Sequence, residues 1–370
     1  MQSQITHSAQ TLSAPFNQAL MHDRRFHPNL GGVTRGGIAN HYPMTLMALH
    51  GLGASDQDLE RFNQSWPRHR AELEQLGLSD HPQVTAANWP EFLGQSAKLL
   101  AFRRVFGEWL SQAPADQVIA EALGRMQNAL PMGLFHPLIR LSFAAQHGDP
   151  GLIADALAYL AIRYVDLFGQ LAPASEPAAH AAAGWRRLDS LQLTLPAGAS
   201  LSICEQLCAA AKLQQAASLP DSKTAIAEIC RLALRLYLFE PSLTTLHAVT
   251  AAQALADLQQ RARPEQQDVY AKLWRRYWIW LTGLYLEKGQ PAGLPDLEPE
   301  TNLSHLAEWD QLAAQARVLP EVHLIKMAYS CRWLDQAFGP EPLYRIAVSN
   351  MLKERRAHPR GGSGLPAKAL

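Results

Sequence analysis

Leu246-His247-Ala248-Val249-Thr250-Ala251-Ala252-Gln253-Ala254-Leu255 begins with a histidine and runs on in alanine and aliphatic side chains, interrupted only by Thr250 and Gln253. Alanine and leucine are the strongest helix formers, so this stretch reads as helix. Very similar phrases stand at three other places. They are Asn40-His41-Tyr42-Pro43-Met44-Thr45-Leu46-Met47-Ala48-Leu49, Phe135-His136-Pro137-Leu138-Ile139-Arg140-Leu141-Ser142-Phe143-Ala144, and Val322-His323-Leu324-Ile325-Lys326-Met327-Ala328-Tyr329-Ser330-Cys331. In each, the imidazole stands at the start of an apolar run, with small residues about two turns later. Neutral imidazole is the commonest side-chain ligand of transition metals. Four helices that converge by one end would bring four such rings to a point.

Outward from these phrases, apolar residues recur mostly at spacings of three and four, which predicts helix nearly throughout. Among the expected helices are 56–76 (kinked or split at Pro67), 90–112, 150–169, 201–218 and 303–317. Ser55-Asp56, Asp149-Pro150 and Pro264-Glu265 supply start signals. Leu191–Leu195 alternates as a strand would but stands alone. The expected fold is therefore all-α: a single large helical body of about a dozen helices, with a metal site between helix ends. Residues 1–20 and 355–370 are expected to be disordered. The helical domain spans 21–354, as halves of about 21–170 and 201–354 joined by an Ala-, Pro- and Ser-rich linker over 171–200. Each half carries two of the histidine phrases, which suggests a distant internal duplication.

Composition narrows the classes. The 370 residues include 33 Lys plus Arg and 33 Asp plus Glu, so no basic excess points to nucleic acid. No apolar run reaches the length of a membrane helix, and the N-terminus does not read as a signal peptide. The four cysteines form no CxxC pair, and Cys204 and Cys208 read as small buried residues on one helix face. A reduced cytoplasmic setting is the expectation. Gly31 to Gly37 does not make a dinucleotide fingerprint, and no P-loop, HExxH or GxSxG is present.

His323 and Lys326, three apart, project from one helix face. An ammonium beside a metal ligand would repel the metal, so either Lys326 points away or its amine is neutral. Burial and a neighbouring cation both favour the neutral amine. Such an amine adds carbon dioxide to give a carbamate, an anionic oxygen ligand. His41, His136, His247, His323 and Lys326 would then form a five-ligand site. An octahedral ion such as iron keeps one position open on it for dioxygen or substrate, whereas zinc prefers four ligands. The alternative for each histidine taken singly is a capping or packing role. Arg140, one turn after His136, either pairs with a core carboxylate or binds an anionic substrate group; it is the catalytic candidate. His27 is among the histidines expected to face solvent. The run Trp274 to Trp280 reads as core packing.

The same residues resemble the questin oxidase-like family. The likeness rests on Asn40-His41-x-Pro43-Met44 with Leu52-Gly53, on Phe135-His136-x-Leu-Ile139-Arg140, on Ala156-Leu-Ala-Tyr159 with Arg163-Tyr164, on Leu246-His247-x-Val-Thr250, and on His323-x-Ile325-Lys326. Tyr42, Pro137 and Ala248 depart from the glycine usual there, next to the ligand positions rather than on them. The resemblance implies an all-helical oxidoreductase that opens an anthraquinone ring. The step is described either as NADPH-dependent Baeyer–Villiger oxidation or as dioxygenase cleavage at a non-haem iron(II) held by four histidines and a carboxylated lysine. Carried over, those ligands are His41, His136, His247, His323 and Lys326. Dioxygen would be the co-substrate and a small aromatic molecule the partner, with no nucleic acid or membrane involved. Two rival readings stand beside it: an NADPH-dependent monooxygenase without the metal, and a non-enzymatic helical interaction protein.

Overall fold

The computed structural model describes residues 12–33, 37–66, 70–173, 176, 178–190, 202–220, 224–290, 293–294 and 306–358. Among them are sixteen α-helices and no strand; Phe26–Glu72 and Asn29–Ala39 are isolated bridges. The helices are α1 (Ala14–Asp23), α2 (Tyr42–Gly51), α3 (Asp56–Ser65), α4 (Leu99–Leu110), α5 (Ala115–Met126), α6 (His136–His147), α7 (Pro150–Ile162) and α8 (Ala181–Arg186). They continue as α9 (Ile203–Cys208), α10 (Ala211–Ala216), α11 (Ala225–Phe239), α12 (Leu243–Arg261), α13 (Gln267–Glu287), α14 (Trp309–Arg317), α15 (Val322–Phe338) and α16 (Pro342–Ala357). No helix among the described residues is long and apolar enough to cross a membrane.

The four histidine phrases become α2, α6, α12 and α15. Each packs on the next, and α15 packs back on α2, which closes a ring of four. Local chemistry sets where each starts. Prolines 43 and 137 sit in the first turns of α2 and α6, where a missing N–H costs nothing. Ser242 and Thr245 form a reciprocal cap on α12, and the Glu321 carboxylate accepts two backbone N–H groups at the start of α15. Gly148, at φ +83°, ends α6. From Thr245 to Leu258 every residue of α12 is buried, as expected of a helix with apolar residues all round. Around this ring lie α1 beside α2, α7 and α4 outside α6, α11 and α13 outside α12, and α14 and α16 outside α15.

Several boundaries differ from the sequence expectation. Ala14–Asp23, partly inside the segment expected to be disordered, is helical, because Phe16 and Leu20 are fully buried. Each such burial stabilises by roughly 1.5–3 kcal/mol, more than enough to order a two-turn helix end. Within the expected linker, Trp185 of α8 stacks on Tyr285 and Trp278 with centroids 4.1 and 5.3 Å away, and its indole N–H donates to Thr282 Oγ1 at 3.1 Å. One aromatic side chain anchors a segment whose composition reads as loop. The expected 90–112 helix is two 3₁₀ turns before Leu99, broken at Gly94 with φ +80°. The expected 56–76 helix ends at Ser65, 150–169 ends at Ile162, and 201–218 is two short helices. Leu191–Leu195 and most of 355–370 lie outside the described residues, although Arg355 to Ala357 complete α16.

Candidate metal centre

Four helix starts meet, so four rings meet. Ring centroids lie 4.6 Å apart for His41 and His136, 4.5 Å for His136 and His247, 5.4 Å for His247 and His323, and 4.9 Å for His323 and His41. His247 is 1 % exposed and the other three are 7–8 % exposed, so the cluster is almost fully enclosed. Lys326 is buried beside it, with Nζ 2.8 Å from Nδ1 of His41. The five residues singled out from the sequence therefore stand together.

For three of the four rings the hydrogen bonds fix which nitrogen carries the proton. Nδ1 of His136 lies 2.6 Å from the Gly133 carbonyl, and Nδ1 of His247 lies 2.7 Å from the Leu243 carbonyl. A carbonyl only accepts, so both Nδ1 atoms are donors. In the neutral ring each Nε2 is then a bare lone pair. These two Nε2 atoms face each other at 3.0 Å. Two lone pairs at that distance repel unless a proton or another cation lies between them. Protonation is opposed at both rings: burial, together with the charge of Lys326 and the neighbouring imidazoles, holds their pKa values well below the usual histidine range. His323 follows the same pattern. Its Nδ1 stands 3.2 Å from Glu321 Oε1. Burial alone would raise that carboxyl; the His323 ring, Arg355 and the Leu324 N–H outweigh it and hold it at about 2, so it is ionised and accepts. Imidazoles tied at Nδ1 to a carbonyl or carboxylate, with Nε2 bare, are what a metal requires of its ligands and their supports.

His41 differs, because its Nδ1 faces the Lys326 amine. Burial of Lys326 pushes its pKa down to about 7, against the opposing pull of Glu321. His41 is also held well below the usual range, by burial first and then by Lys326. Among the described residues no three His, Cys, Asp or Glu side chains stand as a ready-formed ligand group. The rings stand together without forming such a group, and Nδ1 of His41 is taken up by the Lys326 amine. Turning an imidazole about χ2 is a soft motion, far easier than moving a helix start.

The surroundings brace the rings. Gly133, Leu134 and Phe135 are three consecutive left-handed residues, at φ +63°, +53° and +60°. For the two non-glycines this costs roughly 1–2 kcal/mol each. The turn they make delivers the Gly133 carbonyl to His136. Arg140 meets the buried carboxylate of Asp23, Nη2 to Oδ2 at 3.6 Å. Asp23 also accepts from Arg70 at 2.6 Å and from Asn40 at 3.0 Å. Asn40 adjoins His41 and Arg140 lies one turn from His136, so Asp23 ties two ring-bearing helices together. Of the two roles open to Arg140, the structure shows the core ion pair. Its Nη1 has no hydrogen-bond partner among the described residues, and Arg140 lines a cavity of ≈ 20 Å³ with Leu20, Met44, Met47 and Phe143, room for one water and not for an aromatic ring.

Sequence reasoning missed Glu321, whose signal was its place as a helix cap two residues before His323. It also placed His27 in solvent. His27 is buried, its Nδ1 accepts from the Asn29 N–H at 3.0 Å, and burial, helped by Arg140 and Arg163 and opposed by the Asn29 backbone, pushes its pKa down to about 4.

A family model described as Questin oxidase-like matches residues 38–238, just over half of the chain. No curated protein matches it.

Proposed function

Since the chain belongs to the questin oxidase-like family, we propose that it is an oxygenase of anthraquinone-type substrates working at an iron(II) ion. His41, His136, His247, His323 and a carboxylated Lys326 would hold the ion. The observation that carries this reading is the pair of bare Nε2 atoms of His136 and His247 at 3.0 Å, each with its Nδ1 proton committed elsewhere. Iron(II) supplies the one-electron chemistry that lets dioxygen react with a closed-shell aromatic.

The chain's own residues prepare that site. With its pKa near 7, the Lys326 amine is substantially neutral at neutral pH. Its lone pair bonds the carbon of carbon dioxide, and the new carbamate sheds one proton. Nδ1 of His41, 2.8 Å away, is placed to take that proton. Loss of the Nε2 proton of His41 to water then leaves all four rings in one tautomer, Nδ1 protonated and Nε2 bare. The carbamate also answers an electrostatic need. Four helix N-termini, each worth roughly half a positive charge, point at this cluster, and an anion among them is stabilised. Glu321 holds the His323 ring, and Arg355 in turn lies 3.5 Å from Glu321. Asp23 and Arg140 keep His41 and His136 in register.

The test is elemental analysis of untagged protein handled anaerobically, with His323→Ala and Lys326→Ala alongside, and carbon-13 spectra in labelled bicarbonate. About one iron per chain, lost in both variants, with a carbamate signal absent from Lys326→Ala, is the expected result. Turnover that survives a strong chelator and requires NADPH would replace the metal with the nicotinamide route.

A further inference from the structure

Three of the four rings donate their Nδ1 proton, and one of the acceptors differs in kind. His136 and His247 donate to the neutral backbone carbonyls of Gly133 and Leu243. His323 donates to a carboxylate, that of Glu321. An anionic acceptor draws the Nδ1 proton harder and leaves more electron density on Nε2, which makes the ring a stronger donor to a cation. How strong a donor His323 is therefore depends on how much of its charge Glu321 keeps.

A second cation takes a share of that charge. Nη2 of Arg355 stands 3.5 Å from Glu321 Oε1, the same oxygen that lies 3.2 Å from Nδ1 of His323. The other oxygen, Oε2, accepts the Leu324 N–H at 2.5 Å. Guanidinium and imidazole thus compete for one atom. The Glu321 and Arg355 side chains are only 12 % and 16 % exposed, so water and salt screen this pair far less than a surface ion pair. The guanidinium is also held in place. Arg355 occupies the last turn of α16, where a cation suits the helix dipole, and Met351 and Leu352 bury that end of the helix.

We infer that Arg355 is a positioning residue that acts through Glu321: by drawing charge from Oε1 it keeps His323 a neutral imidazole donor, matched to the carbonyl-tied His136 and His247. This rests on the metal reading above and adds how the donor strength of one ligand is set. A stronger donor favours the trivalent over the divalent ion, so hydrogen bonding around the ligands is a lever on the metal's potential. Arg355 pulls that lever toward the divalent state, from a helix that carries none of the five ligands.

The test compares Arg355→Gln with Arg355→Lys in the full-length chain, each also in a Glu321→Gln background. The first readout needs no metal. In metal-free protein labelled with nitrogen-15 histidine, the Nδ1 proton of His323 is observed by NMR and assigned by its loss in His323→Ala. Arg355→Gln should move it downfield, as a stronger hydrogen bond does. Arg355→Lys should leave it close to its original place, and in the Glu321→Gln background neither change should move it. The second readout is the iron(III)/iron(II) midpoint potential of iron-loaded protein. Arg355→Gln should shift the preference toward iron(III) roughly tenfold, about 59 mV lower for a one-electron couple, and Arg355→Lys should restore it. Melting curves on every variant report folding.

A merely structural Arg355 would lower the melting temperature and the metal content of Arg355→Gln while leaving the proton resonance and the potential where they were. That result overturns the proposal. A shift of equal size in the Glu321→Gln background routes the effect around Glu321 and overturns it too. Protein that takes up no iron yet shows the Glu321-dependent shift keeps the relay and loses the metal reading; iron-loaded protein without the shift does the reverse.

Discussion

Glu321 does two things with one carboxylate: it caps α15 by accepting the His323 and Leu324 N–H groups, and it accepts from the His323 ring at 3.2 Å. The helix start and the ring orientation are thus a single arrangement. Glu321→Gln keeps the size and some capping ability but removes the charge and admits either amide orientation. Metal affinity should fall by about 10–100-fold, as is typical when a supporting group is lost. Thermal stability should fall by about 0.5–2 kcal/mol through the weakened cap. Competition with a calibrated chelator and a melting curve separate the two. Unchanged affinity would mean that the ring needs no such partner.

His27 gives a pH dependence. Its folded pKa, about 4, lies below the ordinary 6.5. The unfolded chain therefore binds a proton there before the folded chain does. Stability is fully present above pH 6.5 and is lost as pH falls through 6.5 toward 4, on the order of 2–3 kcal/mol from this group. Urea titrations of the metal-free protein at pH 7 and pH 4.5 should show the decline, and His27→Asn should reduce it by about this share, the depressed cluster histidines accounting for the rest.

Gly133→Ala meets two obstacles. The position has φ +63°, and a Cβ there would come within 3.0 Å of the Arg163 guanidinium. A loss of about 1–3 kcal/mol is expected. Because the Gly133 carbonyl holds His136, metal content should fall further than in a surface variant of equal stability. Equal metal content at matched stability would contradict that bracing role.

Arg140→Met tests positioning against substrate contact. Asp23 keeps Arg70 and Asn40 as partners, so the expected loss is about 1–3 kcal/mol rather than the larger cost of stranding a charge. With a holding role, metal occupancy drops and KM of the metal-replete fraction stays put. A KM raised tenfold at full occupancy would return Arg140 to the substrate.

The helical class was legible because alanine and leucine dominate at helical spacing, and the meeting of His41, His136, His247, His323 and Lys326 was legible because each histidine occupies the same place in its phrase. What supports them was not. Asp23 reaches Asn40, Arg70 and Arg140 across 17, 47 and 117 residues of chain, and no local pattern marks such a choice. Trp185 looked like part of a linker because its stacking partners, Trp278 and Tyr285, lie almost a hundred residues away. His27 looked exposed because Pro28 and polar neighbours surround it in sequence; only its fold neighbours bury it. Helix ends failed where a glycine, such as Gly94, or a tertiary contact outweighed periodicity.

Rings at positions 41, 136, 247 and 323 stand 95, 111 and 76 residues apart along the chain yet within one handbreadth of atoms in space. Contacts of such sequence separation form late, since loop closure must be met before they stabilise anything. During synthesis the last ring and Lys326 emerge only after the other three histidine phrases have been made. A fragment such as 38–238 contains two of the four histidines and can never complete the set. On the proposed metal reading, metal retention would be an assay of finished folding as much as of chemistry, and truncated or misassembled chains would declare themselves by being metal-free before they are seen to be inactive.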